Sequence, residues 1–300
     1  MLRKIIRELF LCILSSGLLV FSFPNYNLWL LAWVSFVPLF FALENKSRLK
    51  AFILSFLTGF IFWLGTIYWL VNVTGIGTVI LCLYLALYFG IFGIIWSFSI
   101  RYPQARRPWF GLLWPKPLSA IRFLFIPSIW VILEYIRSYL FTGFPWALLG
   151  YSQYLNLPVI QIADITGVWG VSFLIMMSNF VVYKVLGGRL WVIGKKQKVN
   201  IYIPLLLFII LLIPSLFYGS YKLNLQPKTY NLRPVRISVI QGNIPQELKW
   251  QPQAKELIIE KYRMIAKQAA KDNPDLIIWP EAAMPSLLER TAQSQGELKY

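Results

Sequence analysis

The 300-residue chain contains no histidine and only two cysteines. Without histidine there is no Ser-His or Cys-His pair, and without a Cys/His cluster there is no zinc-type site. Cys12 and Cys82 both lie inside apolar runs. Thiolate chemistry needs an electropositive, partly exposed setting, so both read as packing residues, and no disulfide framework or cofactor is implied. Charge is scarce too, at 14% of residues against roughly a quarter in soluble globular proteins. Hydrophobic residues make up 58%, aromatics 17%, and mean hydropathy is +0.61. An ordinary soluble domain is excluded, and a membrane protein is expected.

Seven apolar runs approach the ~20 residues that cross a ~30 Å hydrocarbon layer as a helix. They are Ile5 to Phe21, Leu28 to Leu43, Ala51 to Val71, Thr78 to Ile100, Phe123 to Phe141, Ile165 to Leu186 and Ile201 to Gly219. The first two are short and fit equally a helical hairpin turning at Phe23-Pro24-Asn25. Basic residues before the first run also fit a signal peptide, but no small-x-small cleavage site follows it.

What the chain has in excess is positive charge, 29 Lys+Arg against 12 Asp+Glu, a formal +17. In a soluble chain that would point to nucleic acid. Here the charges cluster at the N-terminus (Arg3, Lys4, Arg7), in the second loop (Lys46, Arg48, Lys50), in the fourth (Arg101, Arg106, Arg107, Lys116, Arg122) and in the sixth (Lys184, Arg189, Lys195, Lys196, Lys198). The first, third and fifth loops, near Asn25, Asn72 and Phe144 to Gln161, have none. Short loops rich in Lys and Arg stay in the cytoplasm. The N-terminus is therefore expected in the cytoplasm and everything after Gly219 outside, with no nucleic-acid partner.

After Gly219 the composition becomes that of a water-facing segment, with 12 Lys+Arg and 8 Asp+Glu over residues 220 to 300. Pro227 and Pro234 mark a linker. Val235 to Ile240 alternates like a half-buried strand. Pro252 to Lys271 reads as an amphipathic helix, with Leu257, Ile258, Tyr262, Ile265, Ala266 and Ala269 on one face, and Leu276 to Trp279 as a short apolar strand. Strand, helix, strand is a βαβ unit, with a sheet covered by helices. The expected division is a helical membrane domain over 1–219, a linker over 220–234 and an α/β domain over 235–300.

Three groups of polar residues need a reason. Glu281 follows a buried strand between Pro280 and Pro285, at the strand end where open α/β sheets place ligands. A carboxylate held against Trp279 would titrate above its ordinary range and suit a general base, although a surface Glu opening a helix fits the spacing as well. Glu134 and Arg137 lie three apart on one helix face, where ionisable groups at membrane depth form an ion pair, wall a site or snorkel to headgroups. The uncharged stretch Thr142 to Gln153, with Trp146 and Tyr151, is either an interfacial aromatic belt or a shaped surface.

Taken together, Trp130-x-x-x-Glu134-x-x-Arg137, Thr142-Gly143-Phe144-Pro145-Trp146 and Gly150-Tyr151-Ser152-Gln153 resemble the membrane region of the bacterial apolipoprotein N-acyltransferase family. Val239 to Gln246 with Lys249-Trp250, and Ile278 to Pro285, resemble the start of that family's nitrilase-like (carbon-nitrogen hydrolase) domain. The resemblance implies a multi-pass protein of the bacterial inner membrane, with the segment after 219 periplasmic, acting in lipoprotein biosynthesis. Its implied partners are a phospholipid acyl donor and a diacylated apolipoprotein acceptor. The implied chemistry is ping-pong: a Cys thiol takes the acyl chain as a thioester, a Glu serves as general base, and a Lys stabilises the oxyanion. By motif, Glu281 is the base, and Trp250 lies near the acyl-binding region. Trp146, Tyr151, Glu134 and Arg137 are carried as substrate-binding candidates.

The family's Lys and Cys match no position here, and Cys12 and Cys82 sit in membrane runs. The segment after Gly219 is also short for a closed sandwich core. The chain is thus expected to be truncated and unable to form the thioester alone, with a second chain as a possible source of Lys and Cys. The alternatives are an inactive or split-gene fragment that binds lipid or lipoprotein, and a transporter that resembles the family by chance. Glu134, Arg137 and Asp164, all placed toward the outside, offer no polar pathway for a transporter.

Overall fold

The structure, a computed structural model, describes residues 2–101, 122–190, 202–225 and 233–280, except 246 and 250. Most of the basic residues of the fourth and sixth loops fall outside that set. The chain divides into two compact units, Met1–Gln226 and Pro227–Tyr300.

The first unit is helical. Its elements are α1 (Leu2–Ser22), α2 (Val37–Leu43), α3 (Arg48–Thr66), α4 (Gly75–Arg101), α5 (Arg122–Tyr139), α6 (Leu157–Ile160), α7 (Ala163–Leu190) and α8 (Tyr202–Asn224), with 3₁₀ turns at Trp29–Trp33, Tyr68–Asn72 and Leu149–Gln153. Among the described residues five helices, α1, α3, α4, α7 and α8, are long and apolar enough to cross a membrane. In hydrocarbon every backbone N–H and C=O must be paired within its own segment, which selects the helix for such runs. The Ser47 hydroxyl opens α3 by accepting the Lys50 N–H at 3.4 Å. Small residues then bring α3 against α4: a Cβ on Gly93 would stand 2.5 Å from the Ala51 carbonyl oxygen.

Two of the seven expected spans fall outside the five. α5 has 18 residues and carries Arg122, Glu134 and Arg137. The run from Leu28 to Leu43 is corrected: it is a 3₁₀ turn at Trp29–Trp33 followed by the seven-residue α2, not a single helix. Pro38, within the first two positions of α2, has no N–H to continue a preceding helix. The backbone groups released at the break are taken up by side chains of α1 and α7. Asn179 Nδ2 donates to Ala32 O at 2.8 Å, its Oδ1 accepts the Phe36 N–H at 2.7 Å, and Ser178 Oγ donates to Trp33 O at 3.1 Å. Ser15 Oγ donates to Ser35 O at 2.6 Å. Such substitution is the condition for non-helical backbone inside a membrane protein. The third run is also shorter than expected, since α3 stops at Thr66 and Tyr68–Asn72 is 3₁₀.

Aromatic rings fill the core around that break. Phe40 stacks on Trp96 at 4.2 Å between centroids, and the Trp130 ring meets Phe36 edge-on at 4.6 Å and Phe89 at 4.9 Å. These pairs add to simple area burial. Cys12 and Cys82 are both free and fully buried.

The second unit contains β1 (Ile237–Val239), α9 (Lys255–Ala270) and β2 (Leu276–Ile278). The strands pair in parallel, Ile237 opposite Leu276 and Val239 opposite Ile278. Parallel neighbours require a crossover, which α9 supplies. Ile240, Ile258 and Tyr262 form its small core, with Ile265, Ala266, Ala269 and Ile277 packed against it. Leu257 is 64% exposed, which corrects its assignment to the buried face. It precedes Ile258, and successive helical residues lie about 100° apart, so only one of the two faces the sheet.

Candidate functional site

The sequence-singled polar pair lies on α5, and the fold gives both side chains to one loop. Glu134 is 3% exposed and Arg137 4%. Glu134 Oε1 accepts the Leu149 N–H at 2.7 Å. Arg137 Nη1 donates to Phe144 O and to Trp146 O, each at 2.8 Å, and the Arg137 carbonyl accepts the Phe144 N–H at 2.9 Å. The guanidinium also lies 4.8 Å from the Trp63 ring centroid. Two of the sequence expectations change here. Arg137 does not snorkel, and among the ion pairs of the described residues Glu134 and Arg137 are not joined to each other. Each instead pairs with loop backbone groups, Glu134 with the buried Leu149 N–H and Arg137 with the partly buried Phe144 and Trp146 carbonyls.

That loop needs such anchoring because its backbone is unusual. Phe141 and Ala147 have φ of 58° and 48°, a region that disfavours residues carrying a Cβ. Gly143, at φ 73°, is the position where only glycine fits, since a Cβ would stand 2.3 Å from Ser138 O. The 3₁₀ turn that follows is tied to neighbouring elements. The Gly150 N–H donates to Ser172 Oγ of α7 at 2.9 Å. Gln153 donates from Nε2 to Trp29 O at 2.9 Å and accepts the Trp33 indole N–H at 2.9 Å, which joins the loop to the broken-helix segment.

Held in this way, the loop presents aromatic rings. Trp146 is 47% and Tyr151 45% exposed. Trp146 stacks on Trp69 at 5.4 Å between centroids and packs on Phe144 at 5.2 Å. Below the loop a cavity is lined by Trp63, Tyr88, Trp130, Glu134 and Arg137 with apolar neighbours. Sequence reasoning assigned no role to Gln153, Ser172, Asn179 or Trp63. Uncharged polar residues inside an apolar run were the available signal for Ser172 and Asn179.

Glu281 and Trp250 lie outside the described residues. The segment that leads to Glu281 is described as far as Pro280. Trp279 stacks on Tyr262 at 5.2 Å, and the Ile240 N–H donates to Ile278 O at 3.0 Å. Gly242 and Pro280 both follow the carboxyl ends of parallel strands, the edge at which α/β sheets bind ligands. Among the described residues no group of three or more His, Cys, Asp or Glu could hold a metal.

Helices of spanning length, a buried polar pair committed to an aromatic loop, and a separate βαβ unit define a multi-pass membrane protein with an appended α/β segment. The comparisons make this specific. Residues 15–181 match the model of the apolipoprotein N-acyltransferase N-terminal domain. The chain is 35% identical over 298 residues to the apolipoprotein N-acyltransferase of Geobacter metallireducens, covering 98% of this chain and 54% of that protein. The Pasteurella multocida protein of the same name is 30% identical over 294 residues, 95% of this chain and 52% of its own. That of Coxiella burnetii is 35% identical over 181 residues, 59% of this chain and 34% of its own. The chain belongs to the apolipoprotein N-acyltransferase family, which is a family of acyltransferases. It spans about half the length of the first two of these relatives.

Proposed function

We propose that this chain supplies the membrane domain and the general base of an N-acyltransferase of lipoprotein maturation in the bacterial inner membrane. The observation that carries the proposal is a family likeness that runs over nearly the whole chain, 98% of it against one relative. In the first half-reaction Glu281 accepts the proton of a Cys thiol, and the thiolate attacks a phospholipid ester. A thioester forms and the lysophospholipid leaves as the alcohol. In the second, the α-amino group of an S-diacylglyceryl-cysteine attacks the thioester, an amide forms, and the thiol is regenerated. A Lys stabilises the oxyanion in both.

Within this reading the division 1–219, 220–234 and 235–300 separates the membrane part, a linker and the beginning of a nitrilase-like domain, with about seven spans, the second of them broken between Trp33 and Val37, a cytoplasmic N-terminus and a periplasmic segment after Gly219. Trp146, Tyr151 and Trp250 contact lipid, while Glu134 and Arg137 act through the shape of the loop they hold. Neither cysteine present serves as nucleophile, because Cys12 and Cys82 are 0% exposed within α1 and α4. The Cys and Lys come from sequence beyond these 300 residues, in the same or a second polypeptide.

The test is acyl transfer from phospholipid vesicles to a diacylated lipoprotein peptide. Residues 1–300 alone are expected to give no product. The same residues joined to the remaining sequence of a relative are expected to give product that is lost in Glu281→Gln. Product from 1–300 alone, or an undiminished rate in Glu281→Gln, sinks the assignment.

A further inference from the structure

The cavity beneath the aromatic loop contains a polar problem that the protein does not solve with its own atoms. Glu134 Oε2 is buried with no hydrogen-bond partner, and so are the indole nitrogens of Trp63 and Trp130. All three residues line this one cavity. The Trp130 indole and the Ser172 hydroxyl are placed to act on the Glu134 carboxylate, but neither reaches Oε2 within hydrogen-bond geometry. Leaving a carboxylate oxygen and indole donors unpaired in an apolar interior is unfavourable, most of all for a charged group. Buried polar atoms in native proteins are nearly always paired, to protein or to ordered water.

The cavity admits the centre of a water-sized sphere over about 20 Å³. That is enough for one water, which needs roughly 10–15 Å³ by this measure and two to four polar partners. We infer that the cavity is an internal hydration site, in which one water donates to Glu134 Oε2 and accepts the Trp130 indole N–H. The water joins two side chains of α5 and pairs the carboxylate oxygen opposite the one that accepts the Leu149 N–H. The inference does not depend on the acyltransferase proposal.

The test is water-selective magnetisation transfer in the full chain in lipid nanodiscs, with indole N–H signals assigned by single Trp→Phe variants. Two internal controls are available. The Trp33 indole is already bonded to Gln153, and the Trp96 indole is unpartnered but does not line this cavity. A direct transfer from bound water to the Trp130 indole, absent at Trp33 and Trp96, is the expected result. No transfer at Trp130, or equal transfer at all three, overturns the site. A second variant fills the space: Leu85→Phe, at a fully buried lining position, is expected to abolish the Trp130 signal and lower the melting midpoint by roughly 2–4 °C. A raised midpoint would mean that the cavity is dry and apolar, and would overturn the inference.

Discussion

Replacing Arg137 by Met tests whether the α5 polar pair holds the aromatic loop. The substitution keeps length and apolar contact but removes a donor that serves Phe144 O and Trp146 O at 2.8 Å each. Hydrogen bonds from a charged donor contribute about 1.5–3 kcal/mol each. The contact of the guanidinium with Trp63 adds about 0.5–2 kcal/mol. Taking the lower end, about 3.5 kcal/mol of local stability is lost, a factor of roughly three hundred in the opening equilibrium of the loop. The loss is local because both acceptors belong to one segment. Hydrogen exchange resolved over residues 142–153 reads it directly, since the Phe144 and Leu149 amides are bonded to Arg137 O and Glu134 Oε1. Arg137→Lys, a single-point donor in place of a planar fork, is expected to fall between the two. Unchanged protection at Phe144 and Leu149 in the Met variant refutes the reasoning, as does equal loss of protection across α3 and α4.

Three further outcomes are expected. Asn179→Leu leaves the Phe36 N–H and the Ala32 carbonyl without the Asn179 side chain they now share, and lowers stability by about 2–4 kcal/mol, read as a lower melting midpoint in detergent. Gly219→Val is destabilising by about 1–3 kcal/mol, because a Cβ there would stand 1.7 Å from Pro158 O, whereas Gly17→Ala, with nothing within 4 Å of its Cβ, is neutral or slightly stabilising. Trp146→Ala forfeits two ring contacts, with Trp69 and Phe144, at about 0.5–1.5 kcal/mol each, and lowers the melting midpoint only slightly while raising the apparent KM for the lipid substrate in the joined enzyme.

Much of this architecture is legible from periodicity. The runs that became α1 and α4 contain little that competes with a helix, α7 is kinked at Gly167 and α8 carries Pro214 within it, and the parallel β1–α9–β2 unit follows from alternation, an amphipathic stretch and a short apolar run. The break at 34–36 is not legible, because it is stabilised from afar. Asn179 and Ser178 stand some 143 to 147 residues away from the groups they satisfy, and in sequence they look like isolated polar residues in an apolar helix. Glu134 and Arg137 were identifiable as a pair on one helix face. Their partners were not, since spacing says only that two side chains can meet and cannot weigh that against a nearby loop with unpaired carbonyls. Gln153 shows the same limit: it stands within a recognisable motif, but its function is to hold Trp29 and Trp33.

The account requires the segment after α8, and with it Glu281, to lie on the opposite side of the membrane from the loop at Lys50. Both native thiols are fully buried, so cysteines introduced singly at exposed Gln251 and Lys50 can be labelled against a silent background. With a membrane-impermeant maleimide on intact spheroplasts, Gln251→Cys is expected to label at once and Lys50→Cys only after lysis. Labelling of Lys50→Cys before lysis, with Gln251→Cys protected until then, would contradict both the orientation and the acyltransferase proposal.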